Sequence, residues 1–413
     1  MNNLSRFVLV IGLVVNQWTL AMIFSEDSHI EGLHLKIIIW LFQITCVLLA
    51  LFIHLLISER VNNKIKAILI GLSLPIWIVV LLEISLNLYN QSESNTVVVS
   101  KSYTINSDGT ITDGGTILQD EILGKKPTSN IRFRDYNKTG DTIVYDYIAT
   151  TDKYHRRMTP VSPGQNKEEF LIFFGGSFVW GAANDNETIP FYTSKCLNKF
   201  MTYNYGYGGY GTQQMLAKLQ TNEIANEIDY KTGTAVYVFI PWHVYRVVGS
   251  MQQSTTFANY HPYYYLDEDD NLVRSGNFQE GRPYLNIAYR IIGKSRILKY
   301  FRINLPFISE EHIYLTYRII RESHLEFSNQ FKDSKFYVLF YPVNSKFIEG
   351  RNYIVQLKIY LDKQGIEYLD FTDLFDPSKN EYKIPDGHPS VYANKVIANN
   401  ICAELKESSS RYH

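Results

Sequence analysis

Residues 171–181 read LIFFGGSFVWG, and the rest of the chain is organised around them. Four apolar residues, rich in aromatic and β-branched types, end abruptly in two glycines. This pattern is typical of a buried strand that runs into a tight turn. Open α/β sheets place reactive groups at the carboxyl ends of their strands. Ser177 is therefore either a nucleophile or the cap of a strand-to-helix turn.

The composition restricts the classes of function. The chain has 413 residues, of which 46% are hydrophobic, so it can form an ordinary core and further segments. A formal net charge of -1 argues against a nucleic acid partner. The three cysteines show no C-x-x-C spacing, and we expect neither a metal nor a cofactor. The sequence gives no indication of the oligomeric state.

Three apolar runs stand near the amino terminus, at residues 7–24, 37–57 and 65–88. Each is close to the roughly 20 residues that a helix needs to span a bilayer. They follow one another with short loops, which argues against a cleaved signal peptide and against buried core helices. We therefore predict three transmembrane helices within residues 1–90.

The loops between these runs predict the orientation. The loop 25–34 carries three acidic residues and no lysine or arginine, whereas the loop 58–66 carries three basic residues. The positive-inside rule then places the amino terminus and the second loop inside. We expect a multi-pass protein of the cell membrane, with everything after Tyr89 outside the cytoplasm.

Residues 91–165 predict a linker and a small β-rich segment. Short β-like runs alternate there with turn signals such as Asp108-Gly109. We expect this segment to pack beside a sheet without chemistry of its own. The basic cluster His155-Arg156-Arg157 either contacts an anionic head group or substrate or, as we favour, forms a solvated turn.

Residues 166–413 alternate between strand-like and helix-like patterns five times. Such a rhythm predicts a parallel sheet with helices on both faces, in three α/β/α layers. Residues 247–306, rich in tyrosine, do not fit the rhythm. We interpret them as an insertion that covers the site as a lid.

Candidate functional residues follow the ends of these strands. A glycine-rich turn at residues 205–211 follows the second strand, His243 the third, and Asp386 and His388 the last. Carboxyl ends of parallel strands share one edge, so a single crevice can collect them with Ser177. A histidine can take the proton of a serine while an aspartate orients its ring. The glycine turn either offers N–H groups to an oxyanion or only allows tight packing.

This combination resembles the SGNH (GDSL-like) hydrolase superfamily. Residues 175–178 look like its first block, a variant of Gly-Asp-Ser, residues 204–211 like its second block and residues 386–389 like its last block. The resemblance covers roughly residues 170–405. It implies a flavodoxin-like α/β/α domain that hydrolyses or transfers acyl esters through a serine ester intermediate.

The resemblance also implies a role for each residue. Ser177 would be the nucleophile, His388 the acid–base and Asp386 its partner, while the Ser177 and Gly209 N–H groups would form the oxyanion hole. The family's third block contributes an asparagine to this hole, and His243 stands at that position. A neutral imidazole N–H can also donate a hydrogen bond. Asp386 lies two residues before His388, where many members have the acid three before.

The expected function combines this chemistry with the predicted topology. We predict a membrane-anchored serine esterase acting on acyl esters, with O-acetyl as the expected group, of a cell-envelope glycan or lipid. An O-acyltransferase of the same fold is one alternative. A catalytically degenerate domain that binds glycan or a membrane partner is another, which the replaced asparagine favours.

Two cysteines, Cys196 and Cys402, fall in the predicted first and last helices of this domain. In a flavodoxin-like strand order, these two helices lie on one face of the sheet. Outside the cytoplasm, the pair forms either a disulfide or two buried thiols. A Cα separation above roughly 7 Å would exclude the bond.

Overall fold

The computed structural model describes residues 3–14, parts of 43–87, and 98–410 without 162–166 and 257. The chain divides into two compact units, Met1–Tyr89 and Asn90–His413.

The described residues of the first unit are mainly helical. Helix α1 covers Asn3–Val14, and residues 46–56 are also helical. Among the residues that the structure describes, no helix has the length and hydropathy needed to cross a bilayer. All three predicted spans contain residues outside the described part, so they stay a prediction.

The second unit begins with an antiparallel sheet and a separate hairpin. The strands are β1 (Val98–Ile105), β2 (Ile111–Asp113), β3 (Ile117–Asp120), β4 (Gly124–Pro127), β5 (Arg132–Thr139) and β6 (Thr142–Thr150). The sheet has the order β2-β1-β5-β6, and β3 pairs with β4. This is the β-rich segment that the sequence predicts.

The remaining strands form a parallel sheet and a second hairpin. They are β7 (Glu169–Phe174), β8 (Phe200–Asn204), β9 (Gly233–Phe239), β10 (Pro262–Leu266), β11 (Leu272–Asn277), β12 (Lys335–Phe340) and β13 (Tyr368–Asp370). The sheet has the order β8-β7-β9-β12-β13, and every neighbouring pair is parallel. Counted along the chain, this is strand order 2-1-3-4-5, so the prediction of a flavodoxin-like parallel sheet is confirmed.

Helices connect and flank these strands. They are α2 (Ser177–Trp180), α3 (Ile189–Cys196), α4 (Thr212–Leu219), α5 (Ile224–Glu227), α6 (Trp242–Val247), α7 (Met251–Ser254), α8 (Phe278–Gly281), α9 (Pro283–Ile292), α10 (Arg296–Tyr300), α11 (Glu310–Gln330), α12 (Ile348–Gln364) and α13 (Val391–Ser410).

Two apolar layers hold the helices on the parallel sheet. Alternate residues of β7 point to opposite faces, so Ile172 packs with the layer of α4, α11 and α12, and Phe173 with that of α3 and α13. Both side chains are fully buried. A strand that is covered on both faces has a continuously apolar sequence, and residues 171–174 show this pattern.

Helices α3 and α13, which pack on the same face of the parallel sheet, are covalently joined. Their cysteines, Cys196 and Cys402, form a disulfide with a Cα separation of 6.3 Å. Of the two alternatives that the sequence left open, the structure therefore has the disulfide. The bond links α3 to α13, which belong to the same helix layer.

The interpretation of Arg156 and Arg157 as a solvated turn is wrong. Both side chains are buried, and Arg157 is almost completely shielded from solvent. Arg157 donates hydrogen bonds to the carbonyls of Trp180 and Gly181 and pairs with Asp185 at 3.0 Å. The error arises because the basic residues meet backbone carbonyls far along the chain. Arg157 thereby fastens the β-rich segment to the turn that follows Ser177.

Residues 247–306 contain the hairpin β10–β11 and the short helices from α7 to α10. Tyr264 of β10 is buried against Leu216 of α4 and Ile319 of α11. The insertion is therefore anchored on a helix layer of the sheet domain. Its function as a lid stays a prediction.

Candidate active site

Ser177 is the first residue of helix α2, directly after the carboxyl end of β7. The preceding residue, Gly176, is closely surrounded. A Cβ atom built there would lie 2.6 Å from Arg246 Nη1 and 2.9 Å from the Tyr210 carbonyl oxygen. Only glycine fits such a contact, so the second glycine of the quoted stretch is a packing requirement.

The structure brings Ser177 together with His388 and Asp386. His388 Nε2 lies 2.9 Å from Ser177 Oγ, and His388 Nδ1 lies 2.8 Å from Asp386 Oδ2. These are hydrogen-bond distances. The three side chains have the connectivity of a nucleophile, a base and an orienting acid.

The loop between β13 and α13 places the acid and the base. The Ser390 N–H donates to the Tyr382 carbonyl, and the Gly387 N–H donates to that of Ile384, which closes a tight turn. Asp386 also accepts a bond from the His388 N–H at 3.1 Å. This local geometry lets one short loop supply both members of the pair.

The electrostatics of Asp386 favour a carboxylate. Burial by itself would raise the pKa of Asp386, but the hydrogen bond and the attraction from His388 outweigh it, and the pKa lies below the ordinary value. Both side chains keep 29% of their surface exposed. An ionised Asp386 can orient the His388 ring and stabilise its protonated form.

The glycine-rich turn at residues 205–211 lies beside the turn that carries Ser177. The Tyr210 N–H donates to the Tyr207 carbonyl, which closes a four-residue turn, and Gly209 has φ of +85° in its third position. A positive φ at this position strongly favours glycine. The Tyr207 N–H reaches the Gly175 carbonyl at 3.3 Å, which holds the two turns together.

His243 is buried at the start of helix α6, on the same side of the site. Its Nδ1 lies 2.7 Å from the Tyr237 hydroxyl, which in turn lies 2.7 Å from Thr212 Oγ1. Its Nε2 has no hydrogen-bond partner among the described residues and lies 3.3 Å from where a Cβ on Gly176 would be. Burial and the guanidinium of Arg246 hold the pKa of His243 well below its ordinary range, so the ring is neutral.

Arg246 is a site residue that the sequence reasoning missed. Its Nη1 donates to the Tyr210 carbonyl at 2.5 Å and lies next to Gly176. Burial lowers the pKa of Arg246 to about 10. The charged guanidinium of Arg246 therefore lies next to both turns, the one at Gly176 and the one that ends at Tyr210. The spacing to His243, one helical turn apart on α6, is the signal that could have revealed it.

The antiparallel sheet also contributes side chains near the site, which the sequence reasoning missed. Burial, the charge of Asp135 and, to a smaller extent, that of Asp386 raise the pKa of Tyr145. Phe133 and Tyr147 of this antiparallel sheet pack with Trp180, three residues after Ser177. The β-rich segment thus forms one wall beside the catalytic candidates, which the sequence did not predict.

An apolar pocket of about 180 Å³ is lined in part by the chain neighbours of Ser177 and His388, namely Phe178, Gly387 and Pro389. Phe178 contributes to it and packs edge-on against the His388 ring, with centroids 5.9 Å apart. Aromatic side chains make up much of the lining: Trp242, Tyr341, Phe347 and Tyr382. Ligand pockets are commonly lined in this way, so this pocket is a candidate place for part of a substrate.

The described residues contain no group of three or more His, Cys, Asp or Glu side chains arranged to hold a metal ion.

Comparison of the sequence with family models and with curated proteins finds no match. Among solved structures, the chain is similar to a catalytic mutant of an acetylxylan esterase from Geobacillus stearothermophilus, with 14% identity and a TM-score of 0.34 over 60% of this chain and 96% of that one. A member of the lipolytic protein G-D-S-L family from Veillonella parvula has 13% identity and a TM-score of 0.33 over 56% and 95%. A carbohydrate acetylesterase from Sinorhizobium meliloti has 10% identity and a TM-score of 0.34 over 58% and 99%. These similarities are distant, so the function has to be inferred from the geometry of the site itself.

Proposed function

We propose that this chain is a membrane-anchored serine esterase that cleaves acyl esters, in the first place O-acetyl esters, of a cell-envelope glycan or lipid. The observation that carries the proposal is the continuous relay from Ser177 Oγ through His388 to Asp386, at 2.9 and 2.8 Å. A serine without such a base is a poor nucleophile, and a serine that only caps a helix needs no relay.

The reaction begins when Ser177 Oγ attacks the ester carbonyl and His388 Nε2 takes the hydroxyl proton. The carbonyl electrons move to oxygen, which accepts hydrogen bonds from the N–H groups of Ser177 and Gly209. The intermediate collapses, and the leaving alkoxide takes the proton from His388. Water then repeats the two steps on the acyl-serine and releases the acid.

His243 supplies the third donor of the oxyanion hole in this proposal. For Nε2 to carry the proton, the Tyr237 hydroxyl donates to Nδ1, which fits their separation of 2.7 Å. The ring is neutral, so it has one N–H, and Nε2 has no other described partner. The imidazole of His243 can thus replace the asparagine amide of the family's third block, and the oxyanion hole keeps the same number of donors.

Hydrolysis is favoured over transfer by the partial exposure of the relay. His388 and Asp386 are in contact with solvent, so water can reach the acyl-serine. A transferase has to exclude water while it waits for an acceptor alcohol. The envelope substrate and the extracytoplasmic location rest on the three predicted spans and the charges of their loops.

A fluorophosphonate probe tests the proposal directly. We expect a covalent adduct on Ser177 of the full chain, no adduct in Ser177→Ala, and an unchanged adduct in the control Ser328→Ala on α11. Hydrolysis of p-nitrophenyl acetate should follow the same pattern. Folded protein without an adduct would exclude the esterase and leave a degenerate binding domain. Acetyl transfer to an added glycan in excess of hydrolysis would instead establish the transferase.

A further inference from the structure

Helix α9 is built with its apolar side outward. Asn286 and Tyr289 point inward and are 1% and 8% exposed, whereas Tyr284 and Ile291 are 88% and 67% exposed. Ile287 lies between these two on the same stripe and is more than half exposed. The apolar stripe of a surface helix normally faces the core. The reversed arrangement of α9 indicates that something outside the described residues covers this stripe.

The exposed apolar surface continues along the chain after α9. Tyr300 and Phe301, at the end of α10, and Phe307 beyond it are all more than half exposed. Soluble monomers rarely expose apolar surface on this scale, and where they do it marks an interaction site. We refer to the exposed side chains of residues 284–307 as the α9–α10 surface.

The same segment is exclusively basic. Five arginines and lysines, and no aspartate or glutamate, occur between residues 283 and 309, in a chain whose net charge is -1. Arg290, Lys294, Lys299 and Arg302 are exposed, and none of them forms a salt bridge with a described residue. The charges therefore remain available to an anionic partner.

We propose that the α9–α10 surface docks on a lipid bilayer that contains anionic phospholipid. Aromatic and aliphatic side chains on one face, flanked by arginine and lysine, are the composition of interfacial membrane-binding helices. Tyrosine and phenylalanine enter the headgroup region, and the basic side chains reach the phosphates. A second copy of this chain fits poorly, because pairing two such surfaces would bring like charges together.

This docking does not rest on the esterase proposal. It would orient the Asn90–His413 unit on the membrane surface through its own residues, whatever the reaction at Ser177. It also differs from anchoring by the predicted spans, because it depends on the exposed side chains of the insertion.

A spin label at position 291 tests the proposal. Ile291→Cys is labelled in the full chain, in a background where the free Cys46 is replaced by serine. The protein is incorporated into vesicles of phosphatidylcholine with phosphatidylglycerol, and collisions of the label with oxygen and with a water-soluble nickel chelate are measured. We expect the label to be more accessible to oxygen and less accessible to nickel than a label in water, because it should lie about 5–10 Å into the boundary between headgroups and acyl chains. A label at exposed Ile359 on α12 should stay accessible to nickel.

Each other outcome overturns the proposal. High nickel access at position 291 would mean that the surface stays in water. Low access of both reagents, or spin–spin broadening between labels, would mean that a protein or a second copy covers it.

Reversal of basic charges on the α9–α10 surface tests whether docking depends on anionic phospholipid. Removal of one basic charge should weaken docking by about fivefold, so Lys294→Glu, Lys299→Glu and Arg302→Glu, which each change the charge by two, should weaken it by about 25-fold. Lys395→Glu on α13 should have no effect. Docking of equal depth on pure phosphatidylcholine, unchanged in the triple reversal, would refute recognition of anionic lipid.

Discussion

Strand β7 and helix α9 are both rich in large apolar residues, yet they lie in opposite environments. The side chains of Phe170, Leu171, Ile172 and Phe173 are completely shielded from solvent, whereas those of Ile287 and Ile291 are exposed. The central strand has neighbours on both edges and helices on both faces. Helix α9 turns its asparagine and a tyrosine inward. The comparison teaches that an apolar segment favours burial against some partner. Its position in the fold decides whether that partner is the protein core or something outside the described residues.

The largest effect is expected at the end of β7. Ser177→Ala should lower kcat by on the order of 10⁴- to 10⁶-fold, because the relay loses its nucleophile. Hydrolysis of p-nitrophenyl acetate measures this, with a thermal melt as the check on folding. The same variant should leave membrane docking of the α9–α10 surface unchanged. A loss of both properties together would show that the two regions are not independent.

Truncation of one phenylalanine in each region gives the most direct contrast. Phe173→Ala should reduce the free energy of unfolding by about 3–5 kcal/mol, because it leaves a cavity in a packed layer. Phe301→Ala should change it by about 0.5 kcal/mol or less. Urea unfolding of the two variants measures the difference. Comparable losses would mean that Phe301 is covered within the folded chain.

Substitutions of the buried His243 test the proposed third donor of the oxyanion hole. His243→Leu should lower kcat by about 10²- to 10³-fold, the usual cost of one oxyanion-hole donor. His243→Asn should retain most of the activity, because an amide N–H can replace the imidazole donor. Steady-state kinetics with the melting temperature as a control separate the two. If both variants are as active as the parent, His243 has only a packing role.

The smallest effect concerns pH. Burial, with Lys125 and Arg246 nearby, lowers the pKa of His261 to about 3, and the pKa of His243 is also well below 6.5. In the unfolded chain both rings take a proton near pH 6.5, so the free energy of unfolding should fall as the pH drops below that value. The contribution of Asp386, whose pKa is lowered from 3.8, disappears only at still lower pH.

Urea unfolding at about pH 7.5 and about pH 5 measures the contribution of these histidines. His261→Leu should flatten the dependence on pH, whereas Phe301→Ala at the exposed surface should leave its slope unchanged. An equal slope in His261→Leu and the parent would show that this ring does not contribute.

Much of the site could be predicted because its signals are local. Ser177 follows an apolar strand directly, Gly209 stands in a turn that needs a positive φ, and Asp386 lies two residues before His388. The alternation of strand and helix patterns likewise predicts a parallel sheet, and strand ends predict the common edge. Residues that interact within one turn or one period leave a pattern that can be read without the fold.

Other features depend on contacts between distant parts of the chain. The pairing of Arg157 with Asp185 and the packing of Trp180 with Phe133 and Tyr147 leave no periodic trace. The disulfide was one of two open alternatives until the Cα separation was known.

The sequence by itself determined the order of the elements and the chemical identity of Ser177, Asp386 and His388. Only the tertiary structure decided that Ser177 and His388, 211 positions apart, meet within a hydrogen bond. It also decided that the apolar stripe of α9 faces outward, although its periodicity alone predicts a buried face. The physical reason is the same in both cases. The local sequence pattern shows which side chains a segment can bury or use as hydrogen-bond donors. The packing of distant segments determines which residues those side chains contact.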